Sequence, residues 1–257
     1  MMCSFTAIKK TILESHVDDS LYDKFHIFEP EFHQSIYVEP CDNIACQTGA
    51  FQVYDPIRSI CYPYRGAQPA YADDENDVAT LDYEGMMTDE GVRLDCDENK
   101  RNVCALKSNC IRNGFIDTSL ARSVSRNFYE KKKKKVAVYK NDVLVNSTGD
   151  GTIGRVAVYN YDFPAVVDGH ITILRYKNEV LAWYVAAFLL SVNGQRQMYR
   201  YINGSSGQVE IYPQDIARVW VVPKSESEMS VIAELFKNAC EKHDQFYGDL
   251  KLALSKV

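Results

Sequence analysis

No two of the eight cysteines are spaced as Cys-x-x-Cys, and the five histidines do not cluster with them. A zinc site is not expected on that spacing. Cys3, Cys41, Cys46, Cys61, Cys96, Cys104, Cys110 and Cys240 read instead as buried free thiols in a reducing compartment. Long hydrophobic runs are also lacking. The longest, Val180–Leu190, has 11 residues, too few to cross a bilayer. The opening MMCSFTAIKK holds no apolar signal core, so cytoplasmic residence is expected. Catalytic signatures are missing too. There is no Asn/Asp-Pro-Pro-Tyr/Phe motif of the adenine-methylating kind, no Gly-Lys-Ser/Thr phosphate loop and no carboxylate–lysine cluster of a nuclease. Asp168 and His170 are close in sequence, but no serine or cysteine is well placed beside them, and such a pair is usually structural.

What is present is an ordinary globular composition: 257 residues, 46% hydrophobic and 25% charged, enough for one large domain or two small ones. The most informative stretch is NDVLVNSTGDGTIGR, Asn141–Arg155. Gly149-x-Gly151-x-x-Gly154 formally matches a dinucleotide-binding fingerprint. That fingerprint needs a following helix, whose N-terminus holds the pyrophosphate. Here RVAVYNYDF follows, alternating and β-branched, so the region reads as strand–loop–strand. A nucleotide-binding enzyme is therefore the weakest reading, and titration with nucleotides would test it.

Charge is divided along the chain. Residues 1–100 carry 7 Lys and Arg against 20 Asp and Glu, a balance of −13; residues 101–257 carry 22 against 15, a balance of +7. A basic part beside an acidic one suits a polyanion partner, and equally suits two differently solvated surfaces. The acidic part includes Asp73–Asn99, which has no clear periodicity and reads as a loop or insertion. The basic part includes Lys107, Arg112, Arg122, Arg126 and five consecutive lysines, Lys131–Lys135. Phe28–Phe32 reads as a turn between two short elements, Val103–Leu106 and His170–Arg175 as strands, and Asn113-Gly114 as a tight turn. Asn178–Tyr201 has helical spacing, with Trp183 and Phe188 most simply in the core. Asn203–Gln208 is a second glycine-rich loop, expected near the first.

The C-terminus is the clearest helix. Ser225-x-x-Glu228 is a capping box after Pro223. Ile232, Leu235, Ala239, Phe246, Leu250, Leu254 and Val257 form an apolar stripe, and a helix over Glu226–Val257 would be about 48 Å long. A stripe of that length either wraps its own domain or pairs with another helix, with Leu235, Phe246, Leu250 and Leu254 in the seam; pairing is the favoured expectation.

Several segments in order carry a resemblance: Arg65-Gly66-x-x-Pro69-x-Tyr71, ALKSNCIRNGFIDTSLAR (105–122), NDVLVNSTGDGTIGRV (141–156), NGSSGQ (203–208) and VWVVPKSESE (219–228) before the long helix. Over roughly residues 60–257 the chain resembles the target-recognition domain of DNA specificity subunits of type I restriction–modification systems. The same module occurs in restriction–methyltransferase fusions. The resemblance implies a mixed α/β (α+β) domain with a mixed β-sheet and glycine-rich loops over residues 1–222. Residues 1–60 match poorly and 73–99 fall outside the match. Residues 223–257 would be the long helix that spaces two such domains and docks a methyltransferase. The implied partners are double-stranded DNA, a methyltransferase subunit and a restriction subunit. S-adenosylmethionine is expected on the methyltransferase, and no cofactor or metal on this chain. The usual subunit has two domains and two helices, so one of each here suggests a homodimer, a half-subunit or a fragment.

The implied DNA-facing residues are Arg65, Lys107, Asn109, Arg112, Gly149, Asp150, Gly151, Thr152, Gly154, Arg155, Asn203, Gly204, Ser205, Ser206, Gly207 and Gln208. The residue types agree. Glycine loops let backbone N–H groups approach phosphates. Lys107, Arg112 and Arg155 suit phosphates or a guanine edge, and Asn109, Asn203 and Gln208 suit adenine. Each also has an ordinary structural role open to it: a carboxylate partner for Arg155, a left-handed turn for Asn203, a solvated strand position for Gln208.

Overall fold

The computed structural model describes residues 4–6, 14–16, 19–25, 27, 30–71, 102–204 and 209–257. The acidic stretch and residues 205–208 lie outside the described residues, as do 28–29 of the turn expected over Phe28–Phe32, whose remainder is not a turn but the start of a short helix. Strands β1 (Ser4–Thr6) and β2 (Glu14–His16) precede helices α1 (Asp19–Phe25), α2 (Pro30–His33) and α3 (Ser35–Ala45). Short strands β3 (Phe51–Gln52), β4 (Tyr64–Arg65), β5 (Val103–Leu106) and β6 (Arg122–Val124) follow. Helix α4 (Arg126–Val136) runs into β7 (Ala137–Val138). Then come β8 (Val143–Asn146), β9 (Val156–Val158), β10 (Ala165–Val167) and β11 (Ile171–Leu174). The chain closes with α5 (Glu179–Leu190), α6 (Val192–Arg200), α7 (Pro213–Ala217), β12 (Trp220–Val221) and α8 (Glu226–Leu254). The fold is mixed α+β, as expected.

Two four-stranded sheets form the centre, in the orders β6-β5-β10-β7 and β4-β11-β8-β9. In them only β5 and β10 pair in parallel. The sheets pack face to face through Cys104, Leu106, Ala165 and Val167 on one side and Leu144, Ala157, Ile171 and Ile173 on the other. The outer face of the first sheet, Val103, Ala105, Val124 and Val166, meets Val136, Phe128 and Tyr129 of α4. The outer face of the second, Val143, Val145, Val156 and Val158, meets Trp183, Val185 and Leu189 of α5. The layers are thus helix, sheet, sheet, helix. This explains why β5, β9 and β10 are continuously apolar: both faces of each are covered.

The strand–loop–strand reading of Asn141–Arg155 holds, with β8 and β9 paired antiparallel from Val143↔Val158 to Val145↔Val156. Asn141 enters the hairpin at φ 69°, and its side chain accepts from the Trp183 indole N–H at 3.1 Å. That short polar side chain explains a left-handed residue other than glycine. The Asn178–Tyr201 helix is two helices. Ser191 ends α5 and caps α6, accepting from Gly194 N–H at 3.2 Å. A Cβ on Gly194 would stand 2.2 Å from the Phe188 carbonyl oxygen, so the corner closes only on glycine. The cysteine expectation needs correction. Cys41, Cys104 and Cys110 are buried, but Cys46 is exposed at the end of α3, and Cys61 and Cys240 are half-buried.

Helix α8 has its capping box: the Ser225 side chain accepts from Glu228 N–H at 3.3 Å, and the Glu228 carboxylate from Ser225 N–H at 3.0 Å. Its first half docks through Met229, Ile232, Ala233, Phe236 and Cys240 against the core under α5. Phe236 meets Trp183 edge-on at 5.5 Å, and Tyr161 donates to Asp244 at 3.0 Å. The docked line therefore runs through Phe236 and Cys240, and Leu235 points away at 66% exposure. Phe246, Leu250 and Leu254 are exposed at 60, 43 and 66%, so folding back over the domain does not cover them.

Candidate nucleic-acid interface

The two sheets share an end at which several connections meet. Strand β4 leads into Arg65–Tyr71, β5 into Lys107–Cys110, β8 into Ser147–Gly154, and β10 into Asp168–His170. Asn203, Val209 and Glu210 join them. Local chemistry and cross-links account for the meeting. Gly66 N–H donates to the Ile171 carbonyl at 3.1 Å. A Cβ there would lie 2.3 and 2.4 Å from the carbonyl oxygens of Val167 and Asp168, so the Arg-Gly motif is a close backbone crossing. Asp168 N–H donates to the Leu106 carbonyl at 3.1 Å, while the buried Asp168 carboxylate accepts from His170 N–H at 2.9 Å. Burial pushes the Asp168 carboxyl above its ordinary range; the backbone N–H of His170, then the charge of His170 and the Ser108 N–H, pull it back.

The glycine loop is tied on both sides. Ser147 N–H donates to the His170 carbonyl at 2.8 Å, and the Thr148 hydroxyl meets His170 Nδ1 at 2.7 Å. Asn146, fully buried, donates from Nδ2 to the Ser108 carbonyl at 3.0 Å and to the Thr152 carbonyl at 3.2 Å. Within the loop, Ile153 N–H returns to the Gly149 carbonyl at 3.0 Å and Gly154 N–H to Asn146 at 2.8 Å. Gly149, Gly151 and Gly154 all have positive φ. The first glycine loop lies beside the residues that follow the second, for Gly149 N–H donates to the Val209 carbonyl at 3.0 Å and Thr148 bridges Glu210.

The expected site residues divide into two sets. Asn109, Asp150, Gly151 and Gly204 are exposed; Lys107, Arg112, Gly149, Thr152, Arg155 and Asn203 are half-exposed. Arg155 has no carboxylate partner among the described residues and donates to the Gly151 carbonyl at 3.0 Å, bracing the loop tip. Arg112 lies 3.7 Å from Asp117. Asn203 is not left-handed; its amide donates to the Tyr201 carbonyl at 2.9 Å. Two further members of the set are engaged by the fold itself. Arg65 pairs with Glu210 and donates to the Ile211 carbonyl at 2.8 Å. Gly154 is buried, its carbonyl accepting from Gln195 on α6 at 2.9 Å. Ser205, Ser206, Gly207 and Gln208 lie outside the described residues.

Asn146, Thr148, Glu210 and Tyr71 were not among the expected site residues, although they build the site. The ring of Tyr71 lies between Arg122, 3.8 Å from its centroid, and Lys107 at 6.0 Å. Burial, with the nearby Asp168, pushes its hydroxyl to about 12. Arg122, Tyr71 and the Asp168–His170 pair were visible in sequence, but nothing local showed that they meet. The cluster offers no ready thiolate: burial pushes the Cys110 thiol to about 12. What it presents is an exposed Asp150–Gly151 tip, short polar side chains and the cations Lys107, Arg112 and Arg155, which suit an extended polyanion.

No protein-family model matches the sequence, and no curated protein matches it. Solved structures do. A likeness to the type IIG restriction endonuclease BpuSI covers 89% of this chain and 32% of that one, at a TM-score of 0.50 and 10% identity. A chain in a structure of a type I restriction–modification system gives a TM-score of 0.42 at 11% identity, over 86% of this chain and 47% of that one. The chain thus spans about a third of the first protein and about half of the second. Its fold is similar to that of part of BpuSI.

Proposed function

We propose that this chain is a sequence-specific DNA-recognition subunit of a restriction–modification system. It has no catalysis of its own and directs a partner methyltransferase, and a restriction subunit, to its target. Residues 1–222 do the reading, and the helix beyond them docks partners or a second copy. The observation that carries the reading is the convergence of five connections at one end of two packed sheets. Paired strands hold four of those connections, as recognition by loops requires. Lys107, Arg112 and Arg155 meet phosphates or a guanine edge there, Asn109 and Asn203 suit adenine, and Asp150 suits the amino group of cytosine. S-adenosylmethionine belongs to the partner, and the work is cytoplasmic.

The likeness to part of BpuSI favours a second reading, in which the chain is the recognition part of a fused restriction–methyltransferase enzyme. Co-purification of a separate methyltransferase subunit supports the first reading. A longer reading frame with a methyl-donor site upstream supports the second. Selection from a random duplex pool, followed by sequencing of the sites modified by the purified assembly, is expected to return one short motif. No enriched motif would overturn both readings. Reversing charge at Lys107, Arg112 and Arg155 together is expected to weaken duplex binding at least about 10-fold and to flatten its salt dependence. Unchanged affinity and slope would remove these residues from the interface.

A further inference from the structure

We propose that α4 is a second DNA-contacting element, a lysine arm that grips the phosphates of the duplex flanking the sequence read by the loops. This rests on the DNA-recognition reading above. The helix is placed for it. It starts after Val124, which pairs with Val103 at the far end of the first sheet. It ends by entering β7, where Ala137 pairs with Val166, one residue from the end of β10. Asp168 follows, and it belongs to the loop cluster. The helix therefore climbs the outer face of the sheet toward the loops. Lys107 lies on that same face, since it stands by Tyr71, which packs with Val103, Val124 and Phe128.

The charge pattern is the second support. Lys131, Lys132, Lys134 and Lys135 are exposed, and among the described residues only Lys133 of the five has an ion-pair partner, Glu130 at 2.5 Å. Glu130 is the sole acid on α4. A merely solvated helix face usually mixes both signs. The helix dipole accounts for basic residues in the last turn, Lys133 to Lys135, but not for Lys131 and Lys132. The arm is about 16 Å long. A duplex presents about one phosphate charge per 1.7 Å of its axis, so several phosphates fall within reach. The occupant is duplex DNA because the arm continues into the cations of the loop cluster.

The test compares the full chain with the variant K131A/K132A/K134A/K135A and with the corresponding four-arginine variant. The probe is a long duplex of random sequence, titrated across salt concentrations, so it does not depend on knowing the target. Alanine favours helix, and circular dichroism verifies that α4 and the fold persist. The alanine variant is expected to lower the slope of log affinity against log salt by about 2–4, and the arginine variant to keep it. Preference for the selected motif over random duplex should not change. An alanine variant with the unmodified slope overturns the proposal. So does one that binds duplex normally but loses its methyltransferase, since the lysines then face a protein. If the unmodified chain binds no duplex at all, the recognition reading itself fails; if it binds and only the α4 effect is absent, this inference alone fails.

Discussion

At the scale of single residues, the site depends on groups that never reach its surface. Asn146 carries the clearest case. Its Nδ2 satisfies two carbonyls on two different turns, while its Oδ1 is buried without a partner. Asn146→Ala removes both side-chain hydrogen bonds and leaves a gap at a fully buried position, and is expected to cost about 1–3 kcal/mol in urea unfolding. Asn146→Asp should cost more, because a carboxylate would face those same carbonyls. Equal stability of both variants and the unmodified chain would mean the amide is not holding the turns. Glycines at the site are predicted to differ. Gly66→Ala forces a Cβ into two backbone oxygens and should cost at least about 1–3 kcal/mol. Gly151→Ala meets nothing within 4 Å and carries only the strain of φ 74°, about 1–2 kcal/mol. Arg65 and Glu210 give a pH signature. The Arg65 hydrogen bond holds the Glu210 carboxyl below its ordinary value of 4.5. A depressed carboxylate stabilises the fold fully above its unfolded value, and that contribution is lost as pH falls through the lowered value. The difference in melting midpoint between the unmodified chain and Glu210→Gln should be largest above pH 4.5 and close below it.

At the scale of elements, α8 is two things in one helix. The segment through Cys240 is part of the domain, held by Phe236 on Trp183 and by Lys237 on Glu179 at 2.6 Å. The segment from Phe246 onward has its large apolar residues in solvent. Phe236→Ala is therefore expected to lower stability by up to about 3 kcal/mol. Leu250→Glu with Leu254→Glu should leave the melting midpoint nearly unchanged. If the distal segment pairs with another helix, the double variant becomes monomeric and loses the methyltransferase while staying folded. Sedimentation and co-purification check this, and an unmodified chain that is monomeric and binds no methyltransferase would end the pairing proposal. The capping box and helical periodicity of α8 were legible because both are local rules. Which half docks was not, because both halves are comparably apolar and only the extent of the body beneath them differs.

For the whole molecule, the sequence by itself determined the elements and their character. Gly149–Gly154 between two β-branched runs specified a loop between strands, and the largely apolar runs Val103–Leu106 and Ile171–Leu174 specified covered strands. Charge division along the chain concentrated the basic residues in 101–257. The tertiary structure alone decided which connections meet. β4 pairs with β11 across more than a hundred residues, and β5 lies parallel to β10, so the turns after Arg65, Leu106 and Val167 reach one end together. It also paired Arg65 with Glu210, buried Gly154 and brought in Asn146 and Thr148. The physical reason is that propensity, capping and turn chemistry act over a few residues. Register between distant strands is set by the summed burial of both sheets, which no short stretch of the chain encodes.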